Sequence, residues 1–228
     1  MKRIVVLSGA GISVESGIKT FRDADGLWEN HRIEDVASPE GWAANRELVL
    51  DFYNQRRRQL LECKPNRAHI ALAELENKYD VTIITQNVAD LHERGGSTDI
   101  IHLHGELLKM RSSLDENLVY DCPGDINLGD KCEKGSQLRP YIVWFGEAVP
   151  KIEDAVLQVR KADIFIVIGT SLLVYPAAGL INYTRYEIPK WLIDPSDIQL
   201  PRIPNLTFIN QKATIGVDSL VKHLLANA

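Results

Sequence analysis

Two histidines two residues apart close the apolar run Ile100-Ile101-His102-Leu103-His104-Gly105. A neutral imidazole at a strand end can take a proton from a hydroxyl near pH 7. In a regular strand the two rings share one face, so spacing leaves either His102 or His104 as a base, or as a structural residue. Other turns carry groups that could hold the reacting molecule. Gly9-Ala10-Gly11-Ile12-Ser13 follows Ile4-Val5-Val6-Leu7. Two glycines let the backbone approach a pyrophosphate, and the helix start behind them offers N–H groups and a positive dipole end. Val14 stands where a third glycine would complete the usual fingerprint, so an ordinary tight turn is the alternative. Thr85-Gln86-Asn87 follows Val81-Thr82-Ile83-Ile84. Its carboxamides donate and accept together, which suits ribose hydroxyls or the capping of the next helix. Gly169-Thr170-Ser171 follows Ile164–Ile168, and Asp194-Pro195-Ser196 follows Trp191-Leu192-Ile193.

Each of these turns ends a short apolar run that reads as a buried strand. In an open parallel sheet, ligands bind outside the carboxyl ends of the strands. Several such turns at one crevice imply one extended ligand, and a dinucleotide fits best. Strands alternating with helices predict an α/β, doubly wound, parallel Rossmann-like sheet with a small inserted helical module. A helix is predicted over 45–63, with Leu48, Val49, Phe52, Tyr53 and Leu60 as its apolar stripe, broken at Pro65-Asn66. Further helices are predicted over 68–77, from Asp90 to the Gly95-Gly96 stop, and over 152–161, 177–186 and 217–226. The glycine turn should feed a helix from Ile12. Residues 20–42 read as a long, partly ordered loop, 112–137 as an excursion from the main sheet, and 140–145 as a returning strand. The predicted nucleotide-binding unit comprises 1–30, 66–110 and 138–228, with insertions at 31–65 and 111–137.

Tyr53 and Arg56 lie three apart and share a face of the predicted helix. A phenol beside a guanidinium makes a carboxylate receptor. Two amphipathic side chains coating a helix are the alternative.

The chain has 228 residues, which suits one large α/β domain. A net charge of −5 argues against general nucleic-acid binding. The one dense basic run, Arg56-Arg57-Arg58, reads as a solvated helix face. The three cysteines, Cys63, Cys122 and Cys132, are odd in number and lack C-x-x-C spacing, which argues against a disulfide framework and for the cytoplasm. A four-cysteine zinc site cannot be built from three. Met1-Lys2-Arg3 and the short apolar run after it read as no signal peptide, and no apolar run reaches membrane-spanning length.

Taken together, the motifs resemble the sirtuins, NAD-dependent protein deacylases. The carrying residues are Gly9–Ser13 with Glu15-Ser16-Gly17-Ile18, Thr20-Phe21-Arg22, Thr85-Gln86-Asn87, Leu91-His92-x-Arg94-x-Gly96, His104-Gly105-Glu106, Val143-x-Phe145-Gly146-Glu147 and Gly169-Thr170-Ser171. Tyr175-Pro176-Ala177-Ala178-Gly179 is similar to bacterial members. The resemblance implies that NAD is consumed as a co-substrate. Gly9, Ala10, Gly11, Ser13, Phe21 and Arg22 would line the pocket for nicotinamide, its ribose and phosphate. Gln86, Asn87 and His104 would hold the reactive ribose, with His104 as general base. Gly169, Thr170, Ser171 and Asp194 would meet phosphate and the adenosine ribose, and Ala213 would flank adenine. Val143, Phe145 and Gly146 would pair with the substrate backbone as an added strand. In the reaction that the resemblance implies, the amide oxygen of an acyl-lysine would attack the anomeric carbon as nicotinamide leaves. His104 would then help a ribose hydroxyl attack the resulting imidate, and water would release free lysine and leave O-acyl-ADP-ribose. The Tyr53/Arg56 pair looks like the signature of sirtuins that remove succinyl and malonyl groups, with acetyl-lysine still admissible.

Two departures from the family pattern stand out. Arg111-Ser112-Ser113 stands where the first zinc cysteine pair should start, so the sequence predicts a degenerate zinc-module remnant without zinc. Asn87 is followed by Val88-Ala89, where the family has Ile-Asp. The missing Asp would contact the nicotinamide carboxamide, and its loss predicts reduced turnover. Two rival readings follow. An NAD glycohydrolase or ADP-ribosyltransferase would keep the pocket, whereas a non-catalytic NAD or ADP-ribose binder would keep affinity alone.

Overall fold

The apolar run near the start of the chain is β1 (Arg3–Ser8) in the computed structural model, which describes residues 1–19, 27–28, 30–170, 172, 174–196 and 202–228. A short hairpin follows, β2 (Leu27–Trp28) with β3 (His31–Arg32), then α1 (Ile33–Val36), α2 (Pro39–Ala44), α3 (Arg46–Glu62) and α4 (Arg67–Glu74). Next come β4 (Asp80–Thr85), α5 (Leu91–Gly95), β5 (Ile100–His102), β6 (Gly105–Ser112), β7 (Val119–Asp121) and β8 (Leu138–Ile142). The chain closes with α6 (Ile152–Lys161), β9 (Ile164–Ile168), β10 (Lys190–Ile193), β11 (Leu206–Ile209) and α7 (Ala213–Ala226).

Among the described residues, six strands form one parallel sheet in the order β11-β10-β9-β1-β4-β5. From β1 the chain builds outward to β4 and β5, then crosses to β9 and builds the other way. The order therefore reverses at β1, and a crevice opens at its carboxyl end. There Ser8 lies in register with Thr85 on one side and Ile168 on the other.

β1 shows why the sheet is covered on both faces. Ile4 and Val6 pack with Leu72, Leu75, Val217 and Val221, whereas Val5 and Leu7 pack with Val159, Leu180 and Ile181. All four β1 residues are completely buried, as a doubly wound sheet requires.

A separate core gathers α2, α3 and a three-stranded antiparallel sheet of order β7-β6-β8. The segments 31–65 and 111–137, read as two insertions, thus meet in one cluster, and β8 joins β6 there instead of the main sheet. The described part of 20–42 is more ordered than expected, since α1 lies within it and α2 begins there.

Several boundaries fall where local chemistry predicts. Asn45 caps α3 by accepting from the Leu48 N–H (3.0 Å), and α6 has the predicted bounds. Asn66 and His69 form a capping box at the start of α4, which tightens into a 3₁₀ turn, Leu75–Asn77, at its end. Other boundaries differ. The glycine turn feeds a 3₁₀ segment, Ala10–Ser16, and not an α-helix, and Ala177–Tyr183 is also 3₁₀. β5 stops at His102 and β8 at Ile142, so His104 and Val143–Phe145 lie outside the strands. No described helix is long and apolar enough to cross a membrane.

Candidate active site

At the switch point, hydrogen bonds fasten three strand ends together. The Ser8 hydroxyl donates to Thr85 Oγ1 (2.9 Å) and meets His92 Nε2 (2.9 Å). Since the Ser8 proton goes to Thr85, His92 donates to Ser8. Burial holds the His92 ring neutral, far below its ordinary range. Thr85 Oγ1 also accepts the Asn87 N–H (3.0 Å), and the Gln86 N–H reaches the Ser8 carbonyl (2.9 Å). The Asn87 carboxamide donates to the Gly9 carbonyl (3.0 Å), which sets Gln86-Asn87 against the glycine turn.

The glycines have a sharper purpose than room for a ligand. A Cβ on Gly9 would lie 2.7 Å from the Gly169 carbonyl oxygen, and one on Gly11 would lie 2.6 Å from Gly169 Cα. Gly169 itself takes φ +60°, and its own Cβ would meet Ile12 N at 2.4 Å. The turns after β1 and β9 therefore interlock backbone to backbone, with Gly11 N–H bonded to the Gly169 carbonyl (2.9 Å). Beside them Ser13 Oγ and Gln86 Nε2 are buried with no partner among the described residues. Buried polar atoms in need of partners, next to a close-packed turn, fit a polyhydroxylated co-substrate such as NAD.

Spacing left two histidines open, and their partners separate them. His102 Nδ1 faces the Asn87 carbonyl (3.1 Å) and Nε2 faces Glu93 Oε1 (2.6 Å). Both partners only accept, so the ring carries both protons. Burial opposes that charge, but Glu93 prevails and raises the pKa. His104 Nδ1 meets the Gln86 carbonyl (3.0 Å), which fixes the proton there and leaves a lone pair on Nε2. Burial lowers the His104 pKa against that hydrogen bond, so the ring is neutral near pH 7. Only His104 has the form of a base.

The remaining cofactor-side residues fall at the same end of the sheet. Thr170, at the end of β9, accepts from Leu172 N–H through Oγ1 (3.2 Å). Asp194 follows β10 and accepts the Ser196 N–H (2.8 Å), a local turn. Ala213 opens α7. Glu15 caps that helix by accepting the Thr214 N–H (3.1 Å) and hydroxyl (2.8 Å), tying the segment after the glycine turn to α7. Phe21, Arg22 and Ser171 lie outside the described residues.

On α3, Tyr53 is fully buried and its hydroxyl accepts from Trp144 Nε1 (3.0 Å). Burial pushes the phenol well above its ordinary pKa. Arg56, one turn along α3, lies over the Phe52 ring (5.2 Å). The Val143 N–H bonds to the His104 carbonyl (2.9 Å) and the Phe145 N–H to the Ala37 carbonyl (3.0 Å). The strand expected over 140–145 is corrected to β8, which ends at Ile142, and the chain beyond it turns toward Ala37. Gly146 follows at φ +88° with open space beside it.

The basic run is also corrected. Arg57 is buried, not solvated: Nε donates to the Leu107 carbonyl (2.9 Å) and Nη1 to Asn54 Oδ1 (2.8 Å). The sequence reading misses this residue, together with Trp144 and Arg139, and quotes Glu147 without giving it a role. Arg139 lies over the Trp144 ring (3.3 Å) and pairs with Glu147 (2.7 Å), which also accepts the Trp144 N–H (2.8 Å).

Ala89 is buried in the apolar cluster with Leu91, Leu107 and Trp144. Its neighbour Asp90 turns to Arg94 (3.3 Å). Where the family pattern places zinc ligands, Ser112 is buried, bonds to Ser136 Oγ (2.6 Å), and accepts the Leu114 and Asp115 N–H groups. Cys132 meets the same Ser136 hydroxyl (3.1 Å), whereas Cys122 donates to the Gly124 carbonyl (3.2 Å). Among the described residues no three His, Cys, Asp or Glu side chains gather, so these donors do not fit a tetrahedral zinc.

The Sir2 family model matches residues 9–176. A Helicobacter pylori protein named NAD-dependent protein deacylase is 58% identical over 230 residues, covering 100% of both chains. A Bacteroides thetaiotaomicron protein of the same name is 52% identical, covering 99% of each. Among solved structures, a Sir2 homologue in complex with NAD has a TM-score of 0.89 at 40% identity, covering 99% of this chain and 90% of the other. A Sir2 variant with a deacetylated p53 peptide and 3'-O-acetyl-ADP-ribose has a TM-score of 0.80 at 30% identity, covering 99% and 93%. On a match of this length, and on relatives more than half identical along the whole sequence, the chain belongs to the Sir2 family.

Proposed function

We propose that this chain is an NAD-dependent protein lysine deacylase that favours acidic acyl groups, succinyl and malonyl, and also accepts acetyl. One observation carries the reading: a neutral His104, its Nδ1 proton fixed on the Gln86 carbonyl, stands next to the Gln86-Asn87 pair. In that state Nε2 can take a proton from a ribose hydroxyl, while the carboxamides of Gln86 and Asn87 orient the sugar. NAD supplies the electrophilic anomeric carbon when bound. The relatives' deacylase name and the peptide complex of one structural neighbour support acyl-lysine side chains of proteins as substrate.

The acidic preference rests on Tyr53 and Arg56. A protonated phenol donates and a guanidinium adds charge, the two groups that a carboxylate seeks. Tyr53 is covered in this structure, so an acyl chain reaches it only as the side chains above it move aside. Ala89 supplies no acceptor to the nicotinamide end, and turnover is reduced accordingly. We further propose that the enzyme is zinc-free and cytoplasmic, its three free cysteines suiting a reducing compartment.

The decisive assay incubates the protein with NAD and matched succinyl- and acetyl-lysine peptides and follows nicotinamide and peptide mass. Both peptides should lose their acyl group, the succinyl one faster. Arg56→Met should lower the succinyl-to-acetyl ratio of kcat/KM by about tenfold to a hundredfold, the weight of hydrogen bonds to a charged group. An unchanged ratio removes the carboxylate reader. Nicotinamide release without any peptide would point to a glycohydrolase, and none at all to a non-catalytic binder.

A further inference from the structure

Asn87 is held from three strands. Its N–H goes to Thr85 Oγ1 at the end of β4 (3.0 Å), and its Nδ2 goes to the Gly9 carbonyl after β1 (3.0 Å). Its own carbonyl receives His102 Nδ1 from β5 (3.1 Å). The carbonyl before it, on Gln86, receives His104 Nδ1 (3.0 Å). Two histidines two residues apart therefore clamp two successive carbonyls of the turn assigned to the reactive sugar. With Nδ2 tied to Gly9, the tilt of this peptide decides where Asn87 Oδ1 points, and Oδ1 is an acceptor for a ribose hydroxyl.

The two clamps differ in charge. His104 needs one proton for its carbonyl. The His102 side chain, 8% exposed, has a second acceptor in Glu93 Oε1 (2.6 Å). A ring with a single proton can serve only one of the two. Glu93 carries the negative charge, so that proton stays on Nε2, and a lone pair on Nδ1 confronts the Asn87 carbonyl. The clamp on Asn87 therefore exists only in the doubly protonated ring. Around this ring α5 contributes Glu93 and a neutral His92, and β6 contributes Glu106, itself paired with Lys109 (3.0 Å). The cavity beside His102 is bordered by Tyr141 of β8 and by Lys151, Asp154 and Lys161 at α6. Burial opposes the charge on His102, and the two glutamates outweigh it.

We infer that His102 is a positioning residue for the reaction: by donating from Nδ1 to the Asn87 carbonyl it fixes the Gln86-Asn87 turn against the reactive ribose, and Glu93 decides which nitrogen keeps the last proton. The inference rests on the reading of Asn87 and His104 as the groups that meet that ribose, and it adds a residue that acts through the backbone behind them.

The test follows deacylation of an acetyl-lysine peptide against pH in the native protein, His102→Gln, His102→Asn, Glu93→Gln and His104→Tyr. The amide nitrogen of Gln reaches toward the Nε2 position of the ring, and that of Asn toward Nδ1. His102→Gln should therefore lower kcat and kcat/KM together by about tenfold to a hundredfold, the scale of a misplaced reacting group. His102→Asn should recover most of that loss. In the native protein kcat should fall along a basic limb, since the clamp is present below the His102 pKa and lost as pH rises through it. Glu93→Gln should remove this limb: without the carboxylate a neutral ring keeps its proton on Nδ1, and the new amide can donate to Nε2. Native kcat in His102→Gln, an Asn variant no better than the Gln one, or a limb that Glu93→Gln leaves in place would each overturn the inference. Should the His102 variants not fold, Glu93→Gln, at a side chain 40% exposed, decides alone. His104→Tyr separates the layers. If it stays active, the reading of the site fails; if it is inactive while His102→Gln keeps native kcat, only the clamp fails.

Discussion

The large parallel sheet and the small antiparallel one are held by different forces. In the large sheet the strand interiors are apolar and fully buried, as Ile4-Val5-Val6-Leu7 and Phe165-Ile166-Val167 show, and the polar contacts of the site gather at strand ends. Ser8, Thr85, Gln86 and Asn87 sit at those ends and build the site. Along these strands the apolar interior holds the sheet, and the candidate chemistry falls at the ends. The small sheet differs. Arg57, Asn54, Arg139 and Ser112 are buried within or beside it, and the Arg139–Trp144–Tyr53 chain that supports it includes a residue of the proposed acyl reader. The lesson is that loss of the base at the large-sheet site should lower rate far more than stability, whereas changes in the small sheet should alter both.

The largest effect should come from His104→Tyr. It removes the base, so deacylation should fall by about a hundredfold to ten-thousandfold. NAD binding should persist, and stability should change by less than about 1 kcal/mol, as at a site outside the core. The native pH profile sharpens the point. The lowered His104 pKa means the base is neutral above that pKa and lost as pH falls through it. The acid limb of kcat/KM should have its midpoint below the ordinary histidine value of about 6.5. A limb centred above that value, or activity retained in the variant, places the base elsewhere.

Arg57→Met tests the other half. Arg57 bonds the Leu107 carbonyl and Asn54, and Asn54 exchanges hydrogen bonds with both the N–H and the carbonyl of Ile126 (2.9 Å each). Losing it strands buried acceptors at roughly 1–3 kcal/mol each, although removing a buried charge offsets part of this. A net loss of about 2–3 kcal/mol should appear as a lower melting temperature. An unchanged melting temperature would show that the small sheet does not depend on its polar centre.

Periodicity and capping make much of the fold legible. α3 follows from its stripe and Asn45, α6 from its apolar spacing, and the parallel strands from short aliphatic runs. The order of strands is not written in any local pattern, because it depends on which faces meet after the chain has folded. Composition alone misreads Arg57 as one of a solvated basic run. At 3.6 residues per turn, consecutive residues point about 100° apart, so three successive arginines cannot share one face. The spacing Val49, Tyr53, Arg57, Leu60 places Arg57 on the buried stripe, and that signal is present in the sequence. Spacing cannot separate His102 from His104, since the distinction lies in acceptors contributed by Asn87, Glu93 and Gln86. Trp144 is hidden inside a motif whose meaning there is carried by its backbone.

Ala89→Asp should have a smaller effect, and it probes where the two regions touch. The restored carboxylate should raise turnover by about tenfold if it strengthens binding in the transition state. The same carboxylate enters an apolar cluster, so stability should fall by roughly 1–3 kcal/mol. A rise in rate without any loss of stability would mean that the introduced carboxylate finds a partner before substrate binds. An unchanged rate would mean that the nicotinamide end does not use this position.

The smallest effect concerns the corner of the small sheet to which the zinc-free proposal applies. The buried Ser112 hydroxyl bonds Ser136 and accepts from the Leu114 (3.2 Å) and Asp115 (3.0 Å) N–H groups. Ser112→Ala leaves those donors unpaired, and a loss of about 1–2 kcal/mol is expected, because backbone N–H groups near the surface can turn partly to water. Chelator should not move the melting temperature of the native protein, and elemental analysis should find no stoichiometric zinc. If chelation alone lowers the melting temperature, a metal holds the small sheet and the zinc-free proposal fails. If Ser112→Ala is neutral and chelator is also without effect, the tie lies instead in Arg57 and Asn54 on the opposite side. The two measurements together thus say which side of the small sheet holds it, and whether a metal takes part.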